Sequence, residues 1–171
     1  MVTWMFLDKA KKEDWLSKLF DLLYENMRDI APSGMAYEKE KENWLAEVSP
    51  ALERKPRQIL MCLRGDDLIG YLQYYTRDSL LVIEEMQLKK EYQRTTLFKN
   101  FGRHLLRCLP KSITVVEAYA DKRNAYSQKL MRKLNMDNIA AEDMPFVHCR
   151  GAAEELFQFF QCLNFYDENN P

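Results

Sequence analysis

Two adjacent glutamates, Glu84 and Glu85, follow the apolar residues 80–83 in a stretch rich in leucine, valine and isoleucine. A carboxylate there can remove a proton from a substrate if the fold holds it beside the reacting group. Side chains alternate between the two faces of a strand, so the sequence predicts that at most one of the two glutamates faces a given cleft. The alternative is a solvated or salt-bridged strand glutamate, because a buried carboxylate without a partner is costly.

The remaining reactive residue types are few and do not form a recognisable centre. The chain has two histidines, His104 and His148, and four cysteines without a Cys-x-x-Cys pair. No metal site is therefore predicted. Cys62 and Cys108 occur in apolar stretches, as small buried hydrophobic residues do, and His104 is expected to be a partly exposed helix residue.

Bulk composition excludes several classes of partner. The 25 basic and 26 acidic residues give a formal net charge of −1, and no basic block occurs. We therefore expect no nucleic-acid partner and no membrane partner. No apolar run approaches the roughly 20 residues of a membrane span. We expect a cytoplasmic protein with a single domain over residues 1–171.

Apolar periodicity predicts alternating blocks of helix and strand. Helices are predicted over residues 11–30, 37–52, 95–109 and 124–134, and strands over residues 3–7, 58–63, 68–75, 79–88 and 113–120. After Met136, residues 146–149 could form a strand, and residues 152–163 have a helical pattern whose aromatic content would also suit a strand. This order predicts an α/β sandwich around a sheet of roughly five to seven strands.

Residues 83–94 read Ile-Glu-Glu-Met-Gln-Leu-Lys-Lys-Glu-Tyr-Gln-Arg. This stretch resembles the central strand and loop of the GNAT acetyltransferases, which typically read Ile-x-Glu-Leu-x-Val-x-Pro-x-Tyr-Arg/Gln-Gly. Residues 113–136 resemble the second cofactor motif of that family, since Asn124 opens a helix and Lys133-Leu134-Asn135-Met136 closes it. The order of the motifs extends the resemblance over residues 2–150.

The resemblance implies a three-layer α/β/α sandwich with a mixed central sheet and a splayed central strand. It also implies an enzyme that transfers an acetyl group from acetyl-coenzyme A to a primary amine by direct attack. The acceptor would be a small molecule or a peptide. A homodimer is compatible with the resemblance, because the apolar stretch 156–165 could form its surface, although it could equally complete the core.

The same resemblance assigns residues to the cofactor. Backbone groups of the central strand would pair with the pantetheine amides, and the loop and helix N-terminus would receive the pyrophosphate. Thr95 or Thr96 could cap that helix, and Arg94 and Lys99 could neutralise charge. The implied cofactor-binding residues are Met86, Gln87, Leu88, Gln93, Arg94, Thr95, Thr96, Leu97, Phe98, Lys99, Asn124 and Ser127.

The loop departs from the family pattern, which has small residues where this chain has Thr96 and Phe98. The ring of Phe98 could crowd the pyrophosphate, or it could point away and leave the backbone N–H groups usable. Asn124 could bind the pantetheine arm, although capping of the last helix also explains it.

The implied catalytic residues are Glu85, Glu84 and Tyr126. Motif position favours Glu85 over Glu84 as the base that deprotonates the acceptor. The family's helix tyrosine, which protonates the departing thiolate, is replaced by Met131. Tyr126, Ser127 or water would have to supply that proton. Tyr126 could instead be a packing residue, because it stands at i, i+4, i+8 spacing with Leu130 and Leu134.

Two other interpretations stay open at this point. The departures in the loop and at Met131 favour a GNAT-fold module that binds coenzyme A or a regulatory partner but has lost catalysis. The third interpretation is a plain α/β interaction domain. Binding of the cofactor separates the first two from the third, and thiol release during turnover separates an enzyme from a binding module.

Overall fold

The computed structural model describes residues 1–54, 57–93 and 95–161. The strands are β1 (Val2–Phe6), β2 (Gln58–Arg64), β3 (Asp67–Arg77), β4 (Leu80–Leu88), β5 (Val115–Asp121), β6 (Asp137–Asn138) and β7 (Phe146–Ala152). The helices are α1 (Glu13–Met27), α2 (Tyr37–Glu53), α3 (Leu97–Cys108), α4 (Ala125–Lys133) and α5 (Ala153–Gln161).

The strands form a seven-stranded sheet in the order β1-β2-β3-β4-β5-β7-β6. The pairs β1–β2, β2–β3, β5–β7 and β6–β7 are antiparallel. Strand β5 follows its neighbour β4 through α3, which is the kind of connection that parallel strands require. The sheet is mixed, and the predicted α/β fold class is confirmed.

By its internal contacts the chain divides into two compact units. Unit 1 comprises Met1–Tyr75 and Ile83–Gln93, and unit 2 comprises Thr76–Val82 and the described part of Arg94–Pro171. Residues 80–82 of β4 therefore belong to unit 2 and residues 83–88 to unit 1. The single domain over residues 1–171 stays a prediction.

The core of unit 1 forms where α1 and α2 pack against β2 and β3. Helix α1 buries one apolar face, and β2 buries all five residues from Ile59 to Leu63, of which the alternate residues Ile59, Met61 and Leu63 belong to this core. The members of this core include Leu16, Leu19, Leu22, Val48, Leu52, Ile59, Met61, Leu63 and Tyr71. Helix α1 ends at Met27 rather than at residue 30, and the Met27 carbonyl accepts hydrogen bonds from the N–H groups of Ile30 and Ala31 in the turn that follows.

In unit 2, β5 pairs with β7 over its whole length, from Val115 opposite Ala152 to Asp121 opposite Phe146. Helix α5 packs against α3, β5 and β7. Gly102 of α3 lies directly against the ring of Phe160, since a Cβ at Gly102 would come within 2.2 Å of it. The sequence allowed either a helix or a strand over residues 152–163. The structure has the helix over Ala153–Gln161, and residues 162 and 163 lie outside the described residues.

The burial of the cysteines agrees with the sequence-based prediction only in part. Cys62 and Cys149 are buried, and burial raises the pKa of both thiols, that of Cys62 to about 12. Cys108 is exposed, so its expected burial is wrong, because it lies in the last turn of α3 and outside the face that packs. Among the described residues, no helix is long and apolar enough to cross a membrane.

Candidate active site

Glu84 of β4 is a paired carboxylate. Arg57 forms an ion pair with it through Nη2, and Nε2 of Gln73 donates a hydrogen bond to its Oε2 at 3.1 Å. The side chains of Glu84 and Arg57 are only 20% and 23% exposed. Because the guanidinium already compensates its charge, Glu84 matches the salt-bridged alternative better than the catalytic one.

Glu85 has a different environment, which suits proton transfer. Tyr71 Oη donates a hydrogen bond to its Oε1, and Trp44 of α2 provides a second side-chain hydrogen bond. Burial raises the pKa of the Glu85 carboxyl to about 8, and the bond from Trp44 opposes this rise. The residue still keeps some solvent-accessible surface. A carboxyl with these properties changes its protonation state near neutral pH, as a general base or acid must.

The two glutamates reach the same face of the sheet. Their partners Tyr71 and Gln73 are alternate residues of β3, and alternate residues lie on one face of a strand. The predicted placement of Glu84 and Glu85 on opposite faces is therefore wrong. The side chains of Glu84 and Glu85 therefore do not alternate between the two faces. A carboxylate whose charge is compensated by Arg57 lies beside one that can take up a proton.

A buried polar network closes the end of β4. Asn26 of α1 is 6% exposed, and its Nδ2 donates at 2.9 Å both to Gln87 Oε1 and to the carbonyl oxygen of Leu88. Gln93 Nε2 donates to Asn26 Oδ1 at 3.1 Å and to the same Leu88 oxygen at 3.0 Å. The side chains of Gln87 and Gln93 therefore have partners within the protein, and the Leu88 carbonyl uses both its lone pairs.

The backbone of β4 directs alternate groups towards β3 and away from it. The N–H of Lys89 donates to the Ile69 carbonyl of β3 at 3.0 Å. Backbone groups of an antiparallel strand alternate in direction, so Met86 and Leu88 direct theirs away from β3. The Leu88 carbonyl is already occupied, and pairing of the Met86 backbone and the Leu88 N–H with pantetheine stays a prediction.

In unit 2, Thr95 caps the start of α3, although Thr96 is the residue that directly precedes the helix. Thr95 Oγ1 accepts a hydrogen bond from the Leu97 N–H at 3.2 Å, whereas the Thr96 side chain makes no capping bond. Lys99 lies in the first turn of α3, where backbone N–H groups lack helical acceptors. Arg94, which the sequence also assigned to this loop, lies outside the described residues.

The ring of Phe98 packs against α5. Its centroid is 5.6 Å from that of Phe160 and 6.4 Å from that of Phe159. The ring of Phe98 is therefore held by aromatic side chains of α5. That it points away from a bound pyrophosphate and leaves the backbone N–H groups usable stays a prediction.

Asn124 caps α4. Its Oδ1 accepts a hydrogen bond from the Ser127 N–H at 3.1 Å, so the capping explanation is correct for this side chain. Tyr126 is 63% exposed, and the residue that α4 buries is Met131. Packing of Tyr126 in the core is therefore wrong, because each step of four residues turns the helix by about 40° beyond a full circle.

One cluster of ionisable side chains was not found from the sequence. His148 Nε2 lies 3.0 Å from Glu117 Oε2, and Arg150 Nε lies 3.6 Å from Glu117 Oε1. The ring of Tyr119 stacks on His148, with centroids 4.2 Å apart and planes 14° apart. Glu117 and His148 are 31 residues apart in sequence, and only the β5–β7 register brings them together.

A pocket of about 640 Å³ opens elsewhere in unit 1, and it contains none of the predicted site residues. Most of its lining is charged: Lys18, Asp21, Leu22, Glu25, Arg64, Asp66, Asp67, Leu68 and Lys89. Lys89 is already paired with Asp67 at 2.7 Å. Because both acidic and basic side chains line the pocket, its charges do not favour one class of ligand. Within the described ranges, no group of three or more metal-ligating side chains occurs.

Comparison with known proteins gives a likeness in structure only. No protein-family model and no curated protein matches the sequence. An acetyltransferase from Streptococcus agalactiae superposes with a TM-score of 0.68 at 11% identity, covering 88% of this chain and 98% of its own. The PaiA N-acetyltransferase from Thermoplasma acidophilum, solved in complex with coenzyme A, gives 0.64 at 14% identity, covering 89% and 99%.

A further match is an acetyltransferase from Thermus thermophilus, with a TM-score of 0.65, 12% identity, and coverage of 89% of this chain and 97% of its own. Another matching structure is described as a GNAT-family acetyltransferase from Desulfovibrio desulfuricans. This chain therefore has the GNAT fold, and the resemblance read from residues 83–94 and 113–136 is confirmed at the level of the fold.

Proposed function

We propose that the protein is an N-acetyltransferase that uses acetyl-coenzyme A to acetylate a primary amine, on a small molecule or a peptide, in the cytoplasm. The observation that supports this most is Glu85. In a chain with the GNAT fold, the glutamate at the motif position has a carboxyl that is hydrogen-bonded by Tyr71 and whose pKa burial raises to about 8, in a residue that keeps some accessible surface.

The cofactor would be held by groups that each unit provides separately. In unit 1, Met86 and the Leu88 N–H direct backbone groups away from β3, while Gln87 and Gln93 fix the end of β4. In unit 2, the first turn of α3 offers the backbone N–H groups of Phe98 and Lys99 to an anion. Because the Phe98 ring packs on α5, the residues present fit a pyrophosphate.

When bound, acetyl-coenzyme A supplies an activated acetyl group on sulfur. Ionised Glu85 takes a proton from the acceptor's ammonium, which leaves a neutral amine able to form the new C–N bond as the C–S bond breaks. The acylated nitrogen then loses its remaining extra proton to water, which gives the neutral amide. The departing thiolate needs a proton, which Met131 cannot supply. The exposed hydroxyl of Tyr126 is the proposed donor, with water as its alternative.

The test is release of free thiol from acetyl-coenzyme A in the presence of a panel of primary amines and short peptides. Wild-type protein is expected to release thiol faster as the pH rises towards about 8, because the Glu85 carboxyl must lose its proton first. Glu85→Gln should lower the rate by roughly 100-fold. Glu53→Gln, on exposed surface, is the matched control. Thiol release that is absent for every amine would overturn the proposal.

A second candidate is a GNAT-fold module that binds coenzyme A without catalysis. Burial of Met131 at the position of the family's tyrosine favours it, since no proton donor is present there. Binding of acetyl-coenzyme A without thiol release for any amine would support this module over the enzyme.

A further inference from the structure

The hydroxyl of Tyr71 is a polar group within the apolar core of unit 1. Tyr71 is 0% exposed, and it belongs to the core cluster that contains Ile59 and Met61. It stands opposite Met61 in the pairing of β2 with β3. A buried tyrosine hydroxyl requires a hydrogen-bond partner, and this one donates to Oε1 of Glu85. Because the packed core fixes the tyrosine ring, its hydroxyl fixes the position of that oxygen.

A second donor binds the same carboxyl from another element. Trp44 of α2 forms a side-chain hydrogen bond with Glu85, and an indole can only donate. Trp44 packs against the same core, and its ring centroid lies 5.7 Å from that of Phe20. The carboxyl is therefore held by β3 and by α2 together, and both bonds favour its ionised form.

The other charges of unit 1 beside this carboxyl compensate one another. The titratable and charged groups that surround Glu85 in unit 1 belong to β3, to β4 and to the residue that precedes β2: Tyr71, Tyr75, Glu84 and Arg57. Arg57 pairs with Glu84, and its guanidinium carbon lies 5.7 Å from the centroid of the Tyr75 ring. Tyr71 and Trp44 are thus the described side chains that hydrogen-bond to the Glu85 carboxyl itself.

We propose that Tyr71 is a positioning residue for the acetyl transfer, whose hydroxyl holds Oε1 of Glu85 so that Oε2 takes the acceptor's proton. The proposal rests on the proposed function. Since Tyr71 is fully buried, an acceptor cannot reach Oε1 from the side on which this hydroxyl lies. In the step, an N–H bond of the ammonium breaks, its proton moves to Oε2, and the electron pair stays on nitrogen for the attack on the acetyl carbon. The carboxyl later returns this proton to water.

The first test follows the Glu85 carboxyl itself and needs neither cofactor nor acceptor. Carbon NMR should show that the wild-type carboxyl titrates with a pKa of about 8, with its resonance assigned by Glu85→Gln. In Tyr71→Phe the ionised carboxylate loses a donor, so Glu85 should bind its proton roughly tenfold more tightly. An unchanged or weaker proton affinity would overturn the proposal, because a merely structural role of Tyr71 would lower the stability alone.

Tyr37→Phe is the matched control. The Tyr37 hydroxyl also donates to a carboxylate of unit 1, that of Asp21 on α1, so this variant removes the same kind of bond away from Glu85. The titration of Glu85 should not change in it.

The wild-type protein supplies a measurement that does not depend on the folding of a variant. The Cζ resonance of Tyr71 should titrate with the same midpoint as the Glu85 carboxyl, because the hydroxyl donates more strongly to the ionised form. The Cζ resonance of Tyr37 should not respond at that midpoint. A Tyr71 resonance that is unaffected there would overturn the proposal.

Thiol release separates this proposal from the proposed function. With an acceptor that the wild type acetylates, Tyr71→Phe should be roughly tenfold slower at about pH 7, because less Glu85 is ionised. Part of the loss should persist at a pH at which the carboxyl of both proteins is fully ionised, and full recovery there would overturn the positioning role. An unchanged Glu85 titration together with release by the wild type contradicts the role of Tyr71 alone. The absence of release by the wild type with every amine contradicts the proposed function and, with it, this role.

Discussion

Replacement of Glu85 by glutamine should make the stability of the protein less dependent on pH. The folded protein binds the Glu85 proton more tightly than the unfolded chain, because the pKa rises from 4.5 to about 8. The stabilisation from this proton is therefore complete below about pH 4.5 and is lost as the pH rises through about 8. At about 1.4 kcal/mol for each pKa unit, the loss is at most about 5 kcal/mol, and less because the residue keeps some solvent-accessible surface.

The assay is urea unfolding of wild type and Glu85→Gln between about pH 5 and pH 9. The free energy of unfolding of the wild type, relative to the variant, should fall by several kcal/mol over this range. Glu53→Gln is the matched control with the opposite sign. Lys12 lowers the pKa of Glu53, so its contribution is lost only as the pH falls below about 4.5. A relative stability of Glu85→Gln that stays constant with pH would refute this account of Glu85.

Three further changes test the packing and the caps around the site, each by urea unfolding. Gly102→Ala should destabilise by roughly 1–3 kcal/mol, because the new methyl group meets the ring of Phe160, and an unchanged stability would contradict that contact. Asn124→Ala should cost about 1 kcal/mol through loss of the α4 cap, and no loss would show that the Ser127 N–H finds another acceptor. Asn26→Leu should cost roughly 1–3 kcal/mol, since the Leu88 carbonyl loses one of its two donors, and a stabilised variant would contradict the network.

The order of the elements followed from the sequence because apolar periodicity is a local property. The helical period ends before residue 58, where a short apolar run begins, and the structure has β2 from that residue. Strand β6 was missed, since Asp137–Asn138 is too short to show any period. The end of α1 was placed three residues late because Ile30 continues the apolar spacing, although the helix ends earlier in a hydrogen-bonded turn.

The candidate site was predictable where a motif fixes the residue and not where tertiary contacts decide its role. Glu85 and the loop follow from the motif in residues 83–94. The neutralisation of Glu84 by Arg57 could not be read from the sequence, because the two are 27 residues apart. The same reason hid His148, whose partner Glu117 lies on another strand. The i, i+4, i+8 spacing of Tyr126 was misleading, because that spacing drifts around a helix.

The central claim is that the protein binds acetyl-coenzyme A, and calorimetric titration tests it most directly. Wild-type protein should bind with a Kd in the micromolar range, about −8 kcal/mol. Phe98→Ala should bind no more tightly, because the ring packs on Phe159 and Phe160. Tighter binding by the variant would contradict that placement of Phe98. The absence of binding by both proteins would contradict the acetyltransferase account as a whole.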